Sequence, residues 1–138
     1  MNIAVYTTGY TKTGEGTSIG AFLECEKGVH RNVLALDECT KNQAELRAVE
    51  YALCAIVELS ESHIQINVAN PYVYGMLQRT QTQEGMVWNN EPKKNKETVK
   101  KIRTILDSVP GFSAELVKKN PTIEDLSKLT KASVSESA

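Results

Sequence analysis

The chain has 138 residues, 41% of them hydrophobic, which suits one domain around a single core and is too little for two. Its formal net charge is -1, so no global positive field draws it to nucleic acid or anionic lipid, and any such binding must come from a local patch. No apolar run approaches the roughly 18 residues of a membrane span, and the start Met1-Asn2-Ile3-Ala4 lacks the basic head and cleavage site of a signal peptide, so a cytoplasmic protein is expected.

Cys25, Cys39 and Cys54 form no C-x-x-C pair and read as reduced core residues rather than ligands or a disulfide. Residues 2–8 are a short β-rich run, and residues 9–16, with three glycines, have the composition of a hairpin loop. Residues 18–26 alternate apolar and other side chains, Lys27-Gly28 makes a tight turn, and residues 29–36 return as a third strand.

Thr40 followed three residues later by Gln43 is a capping-box pattern that opens a helix expected to reach Leu59. Leu46, Val49, Leu53, Ile56 and Val57 recur at helical spacing, beside a stripe of Glu45, Ala48, Ala52 and Ala55 small enough to let the helix lie close to a sheet. Glu45 therefore sits one turn into a largely apolar face, where an unpaired carboxylate is costly.

Residues 63–69 alternate again and fit a strand parallel to the first, with the helix as crossover. Asn70-Pro71 starts a short helix through Tyr72, Val73 and Met76, and residues 78–88 read as a loop or frayed helical extension. Val99, Ile102 and Leu106 mark a helix over 93–106, Pro110-Gly111 ends it, and residues 112–117 form a last strand. Thr122 with Asp125 three on, then Leu126 and Leu129, suggests a final helix fading into a disordered tail at 133–138. The order βββαβααβα implies one α/β domain over residues 1–132 with a mixed five-stranded sheet.

Tyr6-Thr7-Thr8-Gly9, Ile19-Gly20-Ala21, Thr40-Lys41-Asn42-Gln43-Ala44-Glu45-Leu46, the run from Ile64 to Tyr72, and Trp88 followed by Pro92-Lys93-Lys94-Asn95 stand in the order and approximate spacing of blocks found in cellular-type ribonuclease H. The chain resembles that family over residues 2–131, most specifically in the Asn-Gln-Ala-Glu-Leu block. The resemblance implies a ribonuclease H-like fold and, in active members, cleavage of the RNA strand of RNA–DNA hybrids by two-metal chemistry. Such chemistry needs several converging carboxylates, because two divalent cations roughly 4 Å apart repel unless anionic ligands surround them.

The four family carboxylate positions fall on Thr8, Glu45, Ala69 and Ser127, so Glu45 alone is retained. The family's loop histidine position falls near Asn120, and His30 and His63 lie elsewhere. Glu124 or Asp125, beside Ser127, could supply one further carboxylate, but nothing replaces the other two. The resemblance thus implies a degenerate member with no confident catalytic residue, no metal site and no cofactor. Magnesium or manganese enters only if the chain is a residual or altered nuclease using Glu45. Without metal, Glu45 is expected to hydrogen-bond Thr8 or Tyr6.

Asn42 and Gln43 resemble residues that approach the sugar-phosphate backbone in the family, though both are also ordinary first-turn residues. Lys93, Lys94, Lys96, Lys100, Lys101 and Arg103 face one anion, Glu97, and helical spacing sets Lys96, Lys100 and Arg103 on one stripe. That stripe is either a phosphate contact or a solvated helix face, and Lys118 and Lys119 extend it if they share its side of the sheet. The family's basic protrusion is replaced by Gln78-Arg79-Thr80-Gln81-Thr82-Gln83-Glu84-Gly85, with one cation and one anion. Trp88 is a partner-binding anchor or a loop-closing core residue. The reading that results is a catalytically inactive binding, adaptor or regulatory module, with a protein partner slightly favoured over RNA or RNA–DNA hybrid and no membrane. A metal-dependent nuclease is the alternative.

Overall fold

The computed structural model describes residues 1–56, 59–82 and 93–137. Strands β1 (Asn2–Lys12), β2 (Gly16–Cys25) and β3 (Gly28–Leu36) form an antiparallel meander, followed by helix α1 (Lys41–Cys54) and β4 (His63–Val68). Helices α2 (Pro71–Thr82) and α3 (Lys93–Leu106), strand β5 (Gly111–Leu116) and helix α4 (Pro121–Ser137) complete the chain. The five-stranded sheet runs β3-β2-β1-β4-β5, with β4 parallel to β1 and to β5, so the mixed α/β architecture expected from the element order is present.

Alternation along β1 decides what covers each face. Ile3 and Val5 enter the main core with Ala21 and Leu23 of β2, Ile64 and Ile66 of β4, and Leu46, Val49 and Leu53 of α1. Val73, Met76 and Leu77 of α2 and Val99, Ile102 and Leu106 of α3 join the same core. The opposite face, at Thr8 and Gly20, is covered by α4.

Two glycines set how closely these helices approach. A Cβ at Gly9 would lie 3.0 Å from the Ala44 Cβ, the Glu45 Cγ and the Glu45 backbone nitrogen, so α1 begins in contact with the β1 backbone. A Cβ at Gly20 would lie 3.0 Å from Thr130 Cγ2 and 3.3 Å from Leu126 Cδ2, so α4 rests directly on β2. Of the small stripe of α1 read from sequence, Ala48 packs on Ile19 together with Ala44 and Ala52 joins the main core, whereas Ala55 lies past the helix end and is exposed.

Several boundaries differ from the sequence reading. β1 extends to Lys12, because Thr11 and Lys12 still pair with Thr17 and Gly16 and the turn needs only three residues. Helix α1 stops at Cys54 rather than Leu59: the Ala55 N–H reaches both Tyr51 and Ala52 carbonyls at 3.2 Å, and the Ile56 N–H reaches Leu53, a tightening into 3₁₀ geometry. Val57 lies outside the described residues. Helix α2 runs on to Thr82 instead of ending early, with Val73, Met76 and Leu77 buried along one side. Trp88 lies outside the described residues.

The last helix starts one residue before Thr122, at Pro121, because Asn120 caps it by accepting the Ile123 N–H at 3.1 Å. It also continues through Ser137, so residues 133–137 are helical where a disordered tail is expected. The face that holds it is Ile123, Leu126, Thr130 and Val134, all buried, whereas Leu129 is 37% exposed. The three cysteines are unpaired as expected, but Cys25 and Cys39 are only half-buried and Cys54 is exposed, so the core placement does not hold. Among the described residues no helix is long and apolar enough to cross a membrane.

At the sheet edge β3 is exposed over most of its length. Midway along it the Asn32 Oδ1 accepts the Val33 N–H at 3.0 Å, and the Asn32 Nδ2 donates to the Tyr51 hydroxyl of α1.

Gly9→Ala should lower unfolding free energy by about 1–3 kcal/mol through overpacking, read from urea midpoints. Gly75→Ala, inside α2 with nothing within 4 Å of the new Cβ, should raise it by roughly 0.5–1 kcal/mol.

Candidate functional site

The four positions singled out by sequence lie where β4 ends alongside the middle of β1, with Thr8 and Ser127 on the α4 side and Glu45 on the α1 side. Thr8, near the middle of β1 and 6% exposed, projects to the α4 side, where its Oγ1 lies 3.2 Å from Ser127 Oγ. Ser127 and Ala69 border the same cavity. Glu45 enters from the first turn of α1, which Thr40 starts by accepting the Gln43 N–H at 3.2 Å.

Glu45 is 6% exposed, and its partner is neither Thr8 nor Tyr6 as the sequence suggests. Asn70 Nδ2 donates to Glu45 Oε2 at 2.5 Å and to Asn42 Oδ1 at 3.0 Å. Asn70 Oδ1 meanwhile accepts the Tyr72 N–H at 2.8 Å, which caps α2. One amide therefore fixes the start of α2 and holds the α1 carboxylate. The sequence signal for Asn70 was the helix start at Asn-Pro; its second bond depends on α1 lying across β1 and meeting the start of α2, which no local pattern encodes.

Burial holds the Glu45 carboxyl above its ordinary value of 4.5, against the Asn70 hydrogen bond and the Lys41 charge, which favour the carboxylate. The site thus combines one reluctant carboxylate, a hydroxyl pair, an amide and a methyl group. Hard divalent cations prefer anionic oxygen, and among the described residues no three His, Cys, Asp or Glu side chains stand together where they could hold a metal ion. These residues do not fit a two-cation centre.

The binding candidates separate in space. Asn42 is partly exposed beside Asn70, but Gln43 turns into the interior, 8% exposed, where its Nε2 donates to Thr98 Oγ1 of α3 at 3.1 Å. Thr98 Oγ1 donates in turn to the Lys94 carbonyl, so the Gln43 Oε1 is left buried without a partner. As a surface contact Gln43 is withdrawn, while as a tie between α1 and α3 it was missed. Asn95, also buried, donates to the Tyr72 hydroxyl at 2.9 Å and links α3 to α2.

Lys96 and Arg103 are partly exposed and Lys100 exposed on α3, with Lys100 and Lys101 bordering Glu50 and Cys54 at the far end of α1 from Glu45. The backbone of Lys93 begins α3. Lys118 does not extend this stripe. It borders the α4-side cavity with Ser127 and Lys128. A larger cavity of about 670 Å³ opens at the opposite end of the sheet, among Asn2, His63 and Gly111 at the strand starts, away from these residues.

With this geometry the fold is that of ribonuclease H. Ribonuclease H1 from the halophilic archaeon Halobacterium salinarum matches with a TM-score of 0.76 and 18% identity over 99% of both chains. The N-terminal ribonuclease H domain of a Mycobacterium tuberculosis protein, solved fused to maltose-binding protein, matches with a TM-score of 0.76 and 15% identity over 99% of this chain and 97% of that one. LC11-RNase H1, solved in complex with an RNA/DNA hybrid, matches with a TM-score of 0.70 and 21% identity over 96% and 99%. No protein-family model and no curated protein sequence matches the chain.

Thr8→Val should cost about 0.5–1.5 kcal/mol by removing the bond to Ser127. A double-mutant cycle with Ser127→Ala should return a coupling energy of about 0.5–1 kcal/mol. For Glu45 the sign follows from its raised folded value: its contribution is full below its ordinary value of 4.5 and is lost as pH rises through the higher folded value. Glu45→Gln keeps an acceptor for Asn70, so it should be more stable than wild type at pH 7, with the gain disappearing below pH 4.5 in paired melting curves.

Proposed function

We propose that this chain is a single-domain, ribonuclease H-like binding module that holds its ligand without cutting it and works in the cytoplasm. The carrying observation is the Thr8–Ser127 hydroxyl pair, because it fills two of the family's carboxylate positions with neutral groups that satisfy each other. Ala69 offers no ligand at a third, and Glu45 at the fourth is engaged by Asn70. Free cysteines suit a reducing compartment.

The geometry favours nucleic acid over a protein partner as the ligand. Asn42 at the start of α1, beside Asn70, and Lys118 and Lys128 beside Ser127 place polar and cationic side chains around the polar cluster, although the net charge is slightly negative. The similarly folded LC11-RNase H1 holds an RNA/DNA hybrid, which supports the same choice. The competing nuclease reading needs Glu45 to work with Glu124 or Asp125, and both of those are exposed on α4.

Purified protein should leave RNA–DNA hybrid intact with Mg²⁺ or Mn²⁺ while retarding it in a gel at low salt, with affinity falling steeply as salt rises. Metal-dependent cleavage that disappears in Glu45→Gln would install the nuclease reading. No retardation of hybrid, double-stranded RNA, single-stranded RNA or DNA would leave a protein ligand in its place.

A further inference from the structure

Loss of carboxylates leaves more than a gap at the end of β4. A cavity of about 350 Å³ opens there between the end of the sheet and the first two turns of α4, and its polar lining is Lys118, Asn120, Glu124, Ser127 and Lys128, with Ala69 at its wall. That volume is ample for a small ligand group.

The hydrogens available in this lining are mostly donors. Lys118 and Lys128 each bring an ammonium, and among the described residues neither is in an ion pair. Asn120 has committed its Oδ1 to the Ile123 N–H, which leaves its amide hydrogens to give. Thr8 and Ser127 share one hydroxyl hydrogen between them, so the pair keeps one more for an outside acceptor. Glu124, exposed at the margin, is the one carboxylate in the lining. A site that holds a divalent cation needs the reverse, several anionic acceptors and no ammonium groups.

We propose that this cavity is a metal-independent site for a phosphate group, with Lys118 and Lys128 as its charged donors and Ser127 and Asn120 as its neutral ones. The inference rests on the binding-without-cleavage reading and gives that reading a second anchor besides Asn42. A phosphate suits the lining because its oxygens are acceptors spread in several directions, and these donors come from the loop after β5, the capping residue and the adjacent Ser127 and Lys128 of α4. The phosphate belongs either to a nucleic-acid backbone or to a free phosphate monoester.

The test is an NMR titration of ¹⁵N-labelled protein in EDTA at constant ionic strength, using inorganic phosphate, a nucleoside 5′-monophosphate and a short single-stranded oligonucleotide as separate ligands. Amides of residues 118–128 should shift saturably with phosphate and with one of the two larger ligands. Tighter saturation by the oligonucleotide assigns the phosphate to a nucleic-acid backbone, and tighter saturation by the monophosphate assigns it to a free monoester. The double variant Lys118→Gln, Lys128→Gln should weaken binding about tenfold with an unchanged melting temperature, and Ser127→Asp, which puts an anion in the wall, should abolish it in protein that still gives a folded amide spectrum.

The proposal is overturned if these amides stay still, if they move as much with chloride, or if only amides along α3 respond. A parallel incubation of hybrid with Mg²⁺ keeps the two readings apart. Cleavage there would sink binding without cutting and leave the metal-free shifts as they are, whereas silent amides with intact hybrid would sink the phosphate site alone.

Discussion

Everything in this molecule depends on β1 carrying a helix in contact with each of its faces. Gly9 admits the first turn of α1 on one side, with Ala44 and Glu45 against the strand backbone. On the other side Thr8 meets Ser127, and Gly20 in the neighbouring strand admits Leu126 and Thr130. Because adjacent residues of a strand point to opposite faces, Thr8 and Gly9 serve two helices from consecutive positions. The placement of Glu45 on one side of β1 and of the Thr8–Ser127 pair on the other follows from that packing, whatever side chains stand there.

That separation of scaffold from chemistry explains how the fold persists at under 25% identity to its structural neighbours. Converging carboxylates repel one another unless a cation offsets them, and the hydroxyl and methyl groups of Thr8, Ser127 and Ala69 bring no such repulsion. The remaining carboxylate still bears a desolvation cost, visible in its raised proton affinity, and Asn70 offsets part of it. Polar contacts among α1, α2 and α3, through Asn70, Gln43–Thr98 and Asn95–Tyr72, hold the helices in register.

Much of the scaffold was legible in the sequence because its signals are local. The Thr40–Gln43 cap, alternation in the strands and the Val99, Ile102, Leu106 stripe each report on a few residues, and each corresponds to an observed element. The helix ends were not legible in the same way. Residues 133–137 look like a polar tail until Thr130 and Val134 are counted with Ile123 and Leu126 on the face that meets the sheet. Thr130 reads as polar and Leu129 as apolar, yet position around the helix buries the first and exposes the second. The partner of Glu45 was hidden for a related reason, since Asn70 is 25 residues away and meets it only through tertiary packing.

The side chain of Asn32 has a meaning for how the sheet ends. β3 presents a nine-residue outer edge with exposed Val29 and Leu34, a template on which another strand could continue the ladder. By taking the Val33 N–H for itself while anchored to Tyr51, Asn32 plugs that template near its middle. The stretches on either side, residues 28–31 and 34–36, are at the short end of strand lengths, so this amide and the exposed Arg31 beside it both blunt the edge against a further strand.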